Sequence, residues 1–450
     1  MDLAARRREF PALAATSDAG PAFDGAPASR FAYLDSAATT LIPRVVLDAT
    51  THALTSLGNP GRGAYARAQA ATDAVAEVRD IVAGALVGWR GSVWAAPPAR
   101  STTASSGTRH VAAEDIVFTS GTTASVNLVA ETWGRQHVGA GDVVIASEAE
   151  HHSNFLPWQR LCERTGATLE LARVDDRGRF DLDAFRAQVT RHGSRVKLVA
   201  IAHVSNVLGT IAPIADIGAI AAEADARVFV DGAQAIAHLD VDVAELGCDF
   251  YAFSGHKVYG PPGAGVLWAA SGLLEGMGPW QLGGGMVSTV ELARSTWRAA
   301  PARFEAGTPN TPAIAGLGAA LVWARTTYLA SRVADGEHAL RGVASSMRDH
   351  EAQVHRALRD VIRDAGARIL GAPEVGVVSF AWDYHPHDIA TIADREGVAL
   401  RSGHHCAQLI HKRFGVDAST RASVAMYSGL DDVEQLGRAL ARVREVLGPR

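Results

Sequence analysis

Short apolar runs alternate with alanine-rich segments through the middle of this chain, and that alternation limits the possible folds more than any other feature. The near-continuous apolar runs are residues 143–147, 198–202 and 228–231. The segments with helical spacing beside them are residues 122–137, 153–165 and 214–224. Apolar strands separated by helices indicate a mostly parallel sheet that is covered on both faces. The sequence therefore predicts an α/β region from about residue 45 to about residue 300.

A second pattern begins after Pro309-Asn-Thr-Pro312, where long helices replace the short alternating elements. The predicted elements there are helices over 313–337, 342–365 and 430–447 and a strand over 376–380. A chain of 450 residues also exceeds one ordinary core. We therefore predict a large domain over 45–308, a small α+β domain over 309–450, and an N-terminal segment, 1–44, that packs with the small domain. Residues 15–30 and 88–113 have the composition of loops.

Charge and composition exclude several classes of function. The formal net charge of −5 offers no electrostatic footprint for nucleic acid. No apolar run is long enough to span a bilayer, and the N-terminus lacks the apolar block of a signal peptide. The three cysteines are too few and too scattered for a disulfide framework or a metal cluster. We therefore expect a cytoplasmic protein without a membrane anchor or a metal, in which Cys162 and Cys248 are packing residues.

Lys257 is the residue with the most informative surroundings, because its neighbours in Phe250-Tyr-Ala-Phe-Ser-Gly-His-Lys257 are mainly apolar. A lysine amine that is free at neutral pH requires desolvation or a nearby cation. One recurrent use of such an amine is a Schiff base with pyridoxal phosphate (PLP), which also needs a carboxylate and phosphate donors. Asp231, at the end of an apolar strand, could supply the carboxylate, although a turn or helix-capping aspartate is an equally ordinary explanation.

Two other segments follow predicted strands and could complete such a site. Phe118-Thr-Ser-Gly-Thr-Thr-Ala-Ser125 combines a strand end, a small-residue turn and a helix start, which together favour an anion, although capping turns of this kind are common. Ser254 and His256 add further phosphate donors. Glu150-His-His-Ser-Asn154 has no ligand partners at the spacing of a metal site, so an imidazole stacked on an aromatic cofactor fits better than a metal.

Several separated motifs in this order resemble a known family. Asp231-Gly-Ala-Gln234, Ser254-Gly-His-Lys257 and His203-Val-Ser-Asn-Val-Leu-Gly209 are similar to those of fold-type I PLP enzymes of aminotransferase class V. Arg401-Ser-Gly-His-His-Cys-Ala407 and Arg421-Ala-Ser-Val-Ala-Met-Tyr427 resemble the SufS/CsdA-like group II cysteine desulfurases. The resemblance extends from Phe10 to the C-terminus. It implies an α/β fold with a mostly parallel seven-stranded sheet and a small α+β C-terminal domain.

The resemblance also implies a role for each matching position. Lys257 would form the Schiff base, Asp231 would pair with the pyridine nitrogen, and Gln234 would bond the phenolic oxygen. His151 would stack on the ring. The implied phosphate ligands are Thr122, Thr123, Ser254, His256 and, from the other subunit of a homodimer, Thr308. The implied substrate ligands are Asn206, Arg401 and Arg421.

The implied activity is PLP-dependent conversion of L-cysteine to L-alanine, with the sulfur held on Cys406 as a persulfide. His404, His405 and Arg401 lie near Cys406 in the sequence and could favour its thiolate. A SufE- or SufU-like protein is the implied sulfur acceptor. The alternatives are a PLP-dependent C–S or selenocysteine lyase, another class V enzyme such as an aminotransferase or epimerase, and a binding protein without catalysis.

Some positions depart from the family pattern. Gly61 replaces a histidine, Ser120 and Ala124 replace an arginine and a glutamate in the phosphate turn, and Leu409 replaces a proline. The segment 88–113 is also longer than the family's connection. These changes near the entrance suggest a dedicated pathway instead of general iron–sulfur assembly. His387 is either a loop histidine beside a helix cap or a surface ligand for a zinc-carrying acceptor.

Overall fold

The computed structural model describes residues 2–14, 31–56, 58–61, 63–87, 111–333 and 344–448. The strands are β1 Ala32–Tyr33, β2 Ile116–Thr119, β3 Val143–Ser147, β4 Thr168–Ala172, β5 Val196–Ala202, β6 Arg227–Asp231, β7 Phe250–Ser254, β8 Gly265–Ala269, β9 Val287–Val290, β10 Ser295–Trp297, β11 Arg368–Ile369, β12 Val377–Ala381, β13 Val398–Ala399, β14 Arg401–Gly403 and β15 Ser419–Ser423.

The α-helices are α1 Leu3–Arg8, α2 Pro11–Ala14, α3 Arg44–Ser56, α4 Ala66–Ala85, α5 Thr122–Val129, α6 Arg135–His137, α7 Leu156–Thr165, α8 Leu182–His192, α9 Ile214–Ala222, α10 Ala235–His238, α11 Val243–Leu246, α12 Leu273–Gly276, α13 Thr311–Val333, α14 Ala344–Asp364, α15 Pro386–Arg395, α16 Gln408–Arg413 and α17 Leu430–Leu447. Single turns of 3₁₀-helix include His152–Asn154 and Gly255–Lys257.

Seven strands form the central sheet, in the order β2-β8-β7-β6-β5-β3-β4. Strand β8 runs antiparallel to both of its neighbours, and every other neighbouring pair is parallel. The prediction of a mostly parallel seven-stranded sheet is therefore confirmed. Because β6 and β7 are parallel neighbours, the chain leaves both strands at the same edge of the sheet, where Asp231 ends β6 and Lys257 follows β7.

Both faces of this sheet are buried, which explains why its strands are apolar throughout. Along β3, Val143 and Ile145 belong to one core cluster, whereas Val144 belongs to the cluster on the opposite face. All five residues of β3 are buried. Since alternate side chains of a strand point to opposite faces, a strand covered on both sides has no polar positions to alternate with.

The predicted helices are present over the described residues, and two of them differ from the prediction by an interruption or a later start; residues 334–337 and 342–343 lie outside the described part of the chain. The helix predicted over 122–137 is interrupted by one π-helical turn at Ala130–Gly134. The helix predicted over 153–165 begins only at Leu156, after a separate 3₁₀ turn. Pro157 lies in its first turn, where a missing N–H has no cost. Most of residues 88–113 and all of residues 15–30 lie outside the described part of the chain.

A second, four-stranded antiparallel sheet has the order β11-β12-β15-β14 and packs with helices α14, α15 and α17. The N-terminal segment joins this unit, since β1 pairs with β13 and Arg7 lies 2.9 Å from the carboxylate of Asp432. Helix α13 packs instead against α3 and α4. The division into 1–44, 45–308 and 309–450 remains a prediction. Among the described residues, no helix combines the length and apolarity needed to cross a membrane.

Candidate active site

A cavity of about 230 Å³ lies at the carboxyl edge of the central sheet, and the Cys406 loop forms one of its walls. Sequence-predicted residues that line it are Thr122, Thr123, His151, Asn206, Asp231, Gln234, Ser254, His256, Lys257, Arg401, Cys406 and Arg421. Residues more than 280 positions apart in the chain thus meet at one site. Thr308 is exposed and does not line this cavity.

Lys257 and Asp231 face the cavity from neighbouring strand ends. Burial lowers the pKa of the Lys257 amine, and the Asp231 carboxylate opposes that change. Burial likewise raises the pKa of Asp231, against the attraction of Lys257 and a 2.9 Å hydrogen bond from the N–H of Ala233. The lysine is therefore closer to a free amine at neutral pH than an exposed lysine is.

The phosphate-type turn is built by close contact between two strand ends. Ser254 Oγ accepts a hydrogen bond from the N–H of Thr122 at 2.9 Å and lies 2.8 Å from Thr122 Oγ1. A Cβ on Gly265 would lie 2.3 Å from the Cα of Gly121, so only glycine permits this approach. Thr123 pairs with Ser153 at 2.7 Å. Hydroxyls and first-turn N–H groups of α5 thus converge on one side of the cavity.

His151 is held in one tautomer by its own loop. Its Nδ1 accepts the N–H of Ser153 at 3.0 Å, so the ring proton lies on Nε2. Burial, followed by the charge of Lys257, lowers the pKa of His151 to about 3. The imidazole is therefore neutral and can lie against an aromatic ring without carrying a charge.

Arg421 is a buried guanidinium with three different environments for its nitrogens. One NH group donates to the carbonyl of Asn206 at 3.0 Å, and the other donates to Asp35 Oδ1 at 3.0 Å. Its Nε is buried without a hydrogen-bond partner. Asp35 also lies 3.5 Å from Arg401, so one carboxylate serves both arginines. The sequence reasoning missed Asp35, although it lies within the part of the chain that the family resemblance covers.

The Cys406 thiol is exposed, and an unusual backbone presents it. His405 and Cys406 have positive φ angles of 50° and 56°. The carbonyl of Cys406 accepts the N–H of His152 at 2.6 Å, and the carbonyl of His405 accepts Asn206 Nδ2 at 2.7 Å. Two consecutive left-handed residues other than glycine are strained, and these hydrogen bonds from residues about 200 or more positions away hold them.

His405 is fixed by a chain of hydrogen bonds below the loop. His411 Nδ1 donates to the carbonyl of Ala407 at 2.9 Å, so His411 Nε2 accepts from the Ser419 hydroxyl, also at 2.9 Å. Ser419 then accepts from His405 Nε2 at 3.0 Å, which leaves His405 Nδ1 as a buried acceptor without a partner. Burial and the charge of Arg421 lower the pKa of His405 to about 2. His405 therefore does not favour the Cys406 thiolate through a positive charge, because its ring is neutral.

A second residue that the sequence reasoning missed is Glu150, a buried carboxyl behind His151. It accepts the N–H of Ala202 at 2.9 Å and Asn154 Nδ2 at 2.6 Å. Burial raises its pKa well above the usual range. A carboxyl that bridges two strand ends in this way fixes the loop from which His151 enters the cavity.

These residues fit PLP. The cavity combines a partly buried amine, a buried carboxylate at the neighbouring strand end, and a turn of hydroxyls and N–H groups. Each is the group that one part of the cofactor requires. Gln234 donates one N–H to the carbonyl of Ala37 at 2.7 Å, which leaves its second N–H for another acceptor.

Comparison with known proteins agrees with this geometry. The family model described as aminotransferase class-V matches residues 32–88 and 107–436. The chain belongs to the class V aminotransferase family. A cysteine desulfurase of Klebsiella pneumoniae is 45% identical over 340 residues, which cover 75% of this chain and 79% of that protein. One from Salmonella agona is 40% identical over 424 residues, covering 93% of this chain and 94% of that protein.

Solved structures support the same grouping. The cysteine desulfurase CsdA from Escherichia coli has a TM-score of 0.81 and 33% identity, with 99% of each chain covered. Within its family the chain therefore groups with the SufS/CsdA-like cysteine desulfurases, as the sequence predicts, and PLP is its cofactor.

Two of the sequence departures have visible consequences. Gly61 has a φ of 110°, so a side chain at this position would be strained. Its N–H donates to Thr72 Oγ1 at 2.9 Å. Ser120 is exposed at the phosphate turn.

His387 is exposed in the first turn of α15, where its N–H donates to Nδ1 of the capping residue His385.

Proposed function

We propose that this PLP-dependent cysteine desulfurase transfers the sulfur of L-cysteine to Cys406, which holds it as a persulfide. The observation that carries the proposal is that Cys406, Lys257 and Arg421 line the same cavity of about 230 Å³. Cys406 is the exposed one of the three cysteines, whereas Cys162 and Cys248 are buried. A thiol that must receive sulfur and then pass it on has to reach both the cavity and the solvent.

Lys257 acts as the base in the first half of the reaction. When bound, PLP withdraws electrons from the α-carbon of the attached amino acid. Asp231 would hold the ring nitrogen, and the turn at Thr122 would hold the phosphate. The lowered pKa of Lys257 favours the free amine, which can take the α-proton of the substrate.

Arg421, Arg401 and Asn206 bind the substrate carboxylate. A guanidinium presents paired donors that match a carboxylate. The buried Nε of Arg421 supplies an N–H that no protein group accepts. Asp35 holds both arginines toward the cavity.

The sulfur step breaks one bond and forms one. The Cys406 thiolate attacks the sulfur of the bound cysteine, an S–S bond forms, and the C–S bond breaks. The electron pair of the broken bond stays on the carbon fragment, which takes up a proton and leaves as alanine. No external oxidant is required, since the substrate carbon gains the electrons that the sulfur loses.

Replacement of Cys406 separates this function from that of a C–S lyase. Holoenzyme incubated with L-cysteine is expected to gain one sulfur atom on the Cys406 peptide, detected by mass spectrometry. Cys406→Ala should lose this adduct and at least ~100-fold of alanine formation, as for loss of a nucleophile. Cys162→Ala is the matched control and should keep both. If Cys406→Ala consumed L-cysteine at the wild-type rate, a lyase mechanism would replace the one proposed.

We further propose a homodimer in which Thr308 binds the cofactor phosphate of the other subunit. Thr308 is exposed and follows Gly307, whose φ is 88°. Three apolar side chains in or near the β9–β10 hairpin are also exposed, Leu282, Val290 and Leu292. Sedimentation analysis should give twice the chain mass of 47.2 kDa. A monomer that retains full activity would contradict the proposal.

We also propose that the enzyme serves a dedicated cytoplasmic pathway instead of general iron–sulfur assembly. The support is the altered entrance, where Gly61 and Ser120 replace larger residues of the family pattern. A wild-type enzyme that released sulfide from cysteine and passed it efficiently to a SufE- or SufU-like protein, the acceptor that the family resemblance implies, would contradict the dedicated pathway.

A further inference from the structure

A second cavity, of about 590 Å³, lies outside the active site. One wall is formed by His238 and the two residues that follow it, after helix α10. Opposite walls come from helix α14 and from residues 372–376 and 424–428. The cavity thus lies between two segments of the chain. One follows Gln234 in the sequence, and the other follows Arg421.

Two buried polar atoms that line this cavity have no hydrogen-bond partner. They are Nε2 of His355, a side chain that is 8% exposed, and Nε of Arg359. Both residues lie on α14 four positions apart, so they are neighbours on one face of the helix. A buried donor without a partner costs about 1–3 kcal/mol. Two of them side by side against a cavity are typical of a binding site that a ligand completes.

The charges around this pair favour an oxyanion. The guanidinium of Arg359 is positive, and Arg356 and Arg179 add positive charge at the exposed rim. Burial, followed by the charge of Arg359, lowers the pKa of His355 to about 4, so its ring is neutral and keeps one N–H to donate.

The acidic residues that line the cavity, on α14 and on the other walls, already have protein partners. Glu374 accepts the N–H of Ile211 at 3.0 Å, and Asp240 and Glu351 are engaged within the protein. His350, also on α14, donates from Nε2 to the carbonyl of Ser428 at 3.1 Å. Among the described residues, the buried side-chain atoms of this cavity that remain without a partner are therefore Nε2 of His355 and Nε of Arg359.

We propose that this cavity binds a small oxyanion, a phosphate ester or a carboxylate, whose oxygens accept hydrogen bonds from Arg359 Nε and from His355 in the tautomer that carries its proton on Nε2. The volume is within the range of small-molecule sites. Since its walls continue from segments that carry Gln234 and Arg421, the ligand acts as an effector that alters the apparent KM for cysteine.

Calorimetric titration of the holoenzyme tests the site, because bound PLP fills the cofactor's own phosphate subsite. Inorganic phosphate and malonate, added separately in Tris chloride, represent the phosphate and carboxylate sources. We expect at least one probe to bind saturably, with one site per chain, and to shift the KM for cysteine. Phosphate alone would identify a phosphate ester as the ligand class, and malonate alone a carboxylate.

Variants of α14 decide whether the binding is at this site. Arg359→Lys keeps the charge but loses the Nε donor, and His355→Leu loses the imidazole. Each should weaken probe binding at least ~tenfold while activity without the probe stays unchanged. Arg363→Met is the matched control, since Arg363 is exposed, makes only a 3.5 Å contact with Asp360 and does not line the cavity. The proposal is overturned if neither probe binds saturably. It is also overturned if all three variants bind the probe with equal affinity, because that result would indicate an adventitious ion only.

Discussion

Asp35 is the residue whose charge most directly controls the arginines of the active site. It accepts from Arg421 at 3.0 Å and lies 3.5 Å from Arg401, and the Arg421 side chain is only 2% exposed. Removal of one partner from a buried ion pair leaves an uncompensated charge, which costs about 3–5 kcal/mol. We therefore predict that Asp35→Asn lowers the free energy of unfolding of the holoenzyme by that amount, measured by urea denaturation.

An exposed ion pair provides the matched control for Asp35. Arg413 lies 2.8 Å from Asp176, whose side chain is 94% exposed. Exposed pairs contribute about 0–1 kcal/mol, so Asp176→Asn should leave the stability nearly unchanged. Equal effects of the two substitutions would show that the Asp35 pair is solvated and not a buried support of Arg421.

The residues of the site differ in how far the sequence could predict them. Lys257, Asp231 and Thr122 follow strands directly, so the strand pattern alone indicates where they meet. Asp35 could not be found in this way, because its partners lie more than 360 positions away and no local period connects them. The neutrality of His405 depends on a hydrogen-bond chain through Ser419, which exists only in the folded chain.

At the scale of elements, the apolar pattern predicts strands well because both sheet faces are covered. Helix interruptions were not predicted. The π-helical turn at Ala130–Gly134 has the sequence Ala-Glu-Thr-Trp-Gly, in which no proline marks the interruption. Likewise, the left-handed backbone of His405 and Cys406 has no glycine to indicate it, since tertiary hydrogen bonds impose it.

The contact between β8 and the phosphate turn gives a prediction for these two elements together. A methyl group on Gly265 would meet the backbone of Gly121 at 2.3 Å, so the turn that carries Thr122 must move. We expect Gly265→Ala to weaken PLP binding at least ~tenfold, as overpacking costs about 1–3 kcal/mol. Cofactor absorbance during dialysis measures it. Gly276→Ala, where no atom lies within 4 Å of the new methyl, should bind PLP normally. Normal binding by both variants would contradict the prediction.

Across the whole molecule, an aromatic cluster connects segments that are distant in the sequence. Phe10 lies 4.8 Å from Tyr427 and 5.4 Å from Trp323, measured between ring centroids. Tyr259, two residues after Lys257, lies 5.0 Å from Trp323. The N-terminal segment thus packs against the lysine loop as well as against the C-terminal elements. The prediction that residues 1–44 pack with the small domain includes the contact with the C-terminal elements but not the contact with the lysine loop.

Buried neutral histidines make the stability of the whole molecule sensitive to mild acid. His203 is 6% exposed, lies 3.3 Å from the Tyr251 hydroxyl, and has a pKa lowered by burial from 6.5 to about 4. The contribution of His203 to the free energy of unfolding is fully present above pH 6.5, where the imidazole is neutral in both the folded and the unfolded state. As the pH falls below 6.5 toward 4, the unfolded state binds a proton that the folded state excludes, so stability is lost.

Glu150 and Asp231 act with the opposite sign, because burial raises their pKa values, so acidification of the wild type alone cannot isolate the histidine. A comparison of the wild type with His203→Gln isolates the effect of the histidine, because both proteins contain Glu150 and Asp231. Between about pH 7.5 and about pH 5.5 the wild type should lose about 1.4 kcal/mol more than the variant, which cannot titrate at this position. Thermal unfolding midpoints of the two holoenzymes would then converge, or cross, as the pH falls. Curves that stay parallel would mean that His203 accepts a proton in the folded state, and burial would not be what keeps its ring neutral.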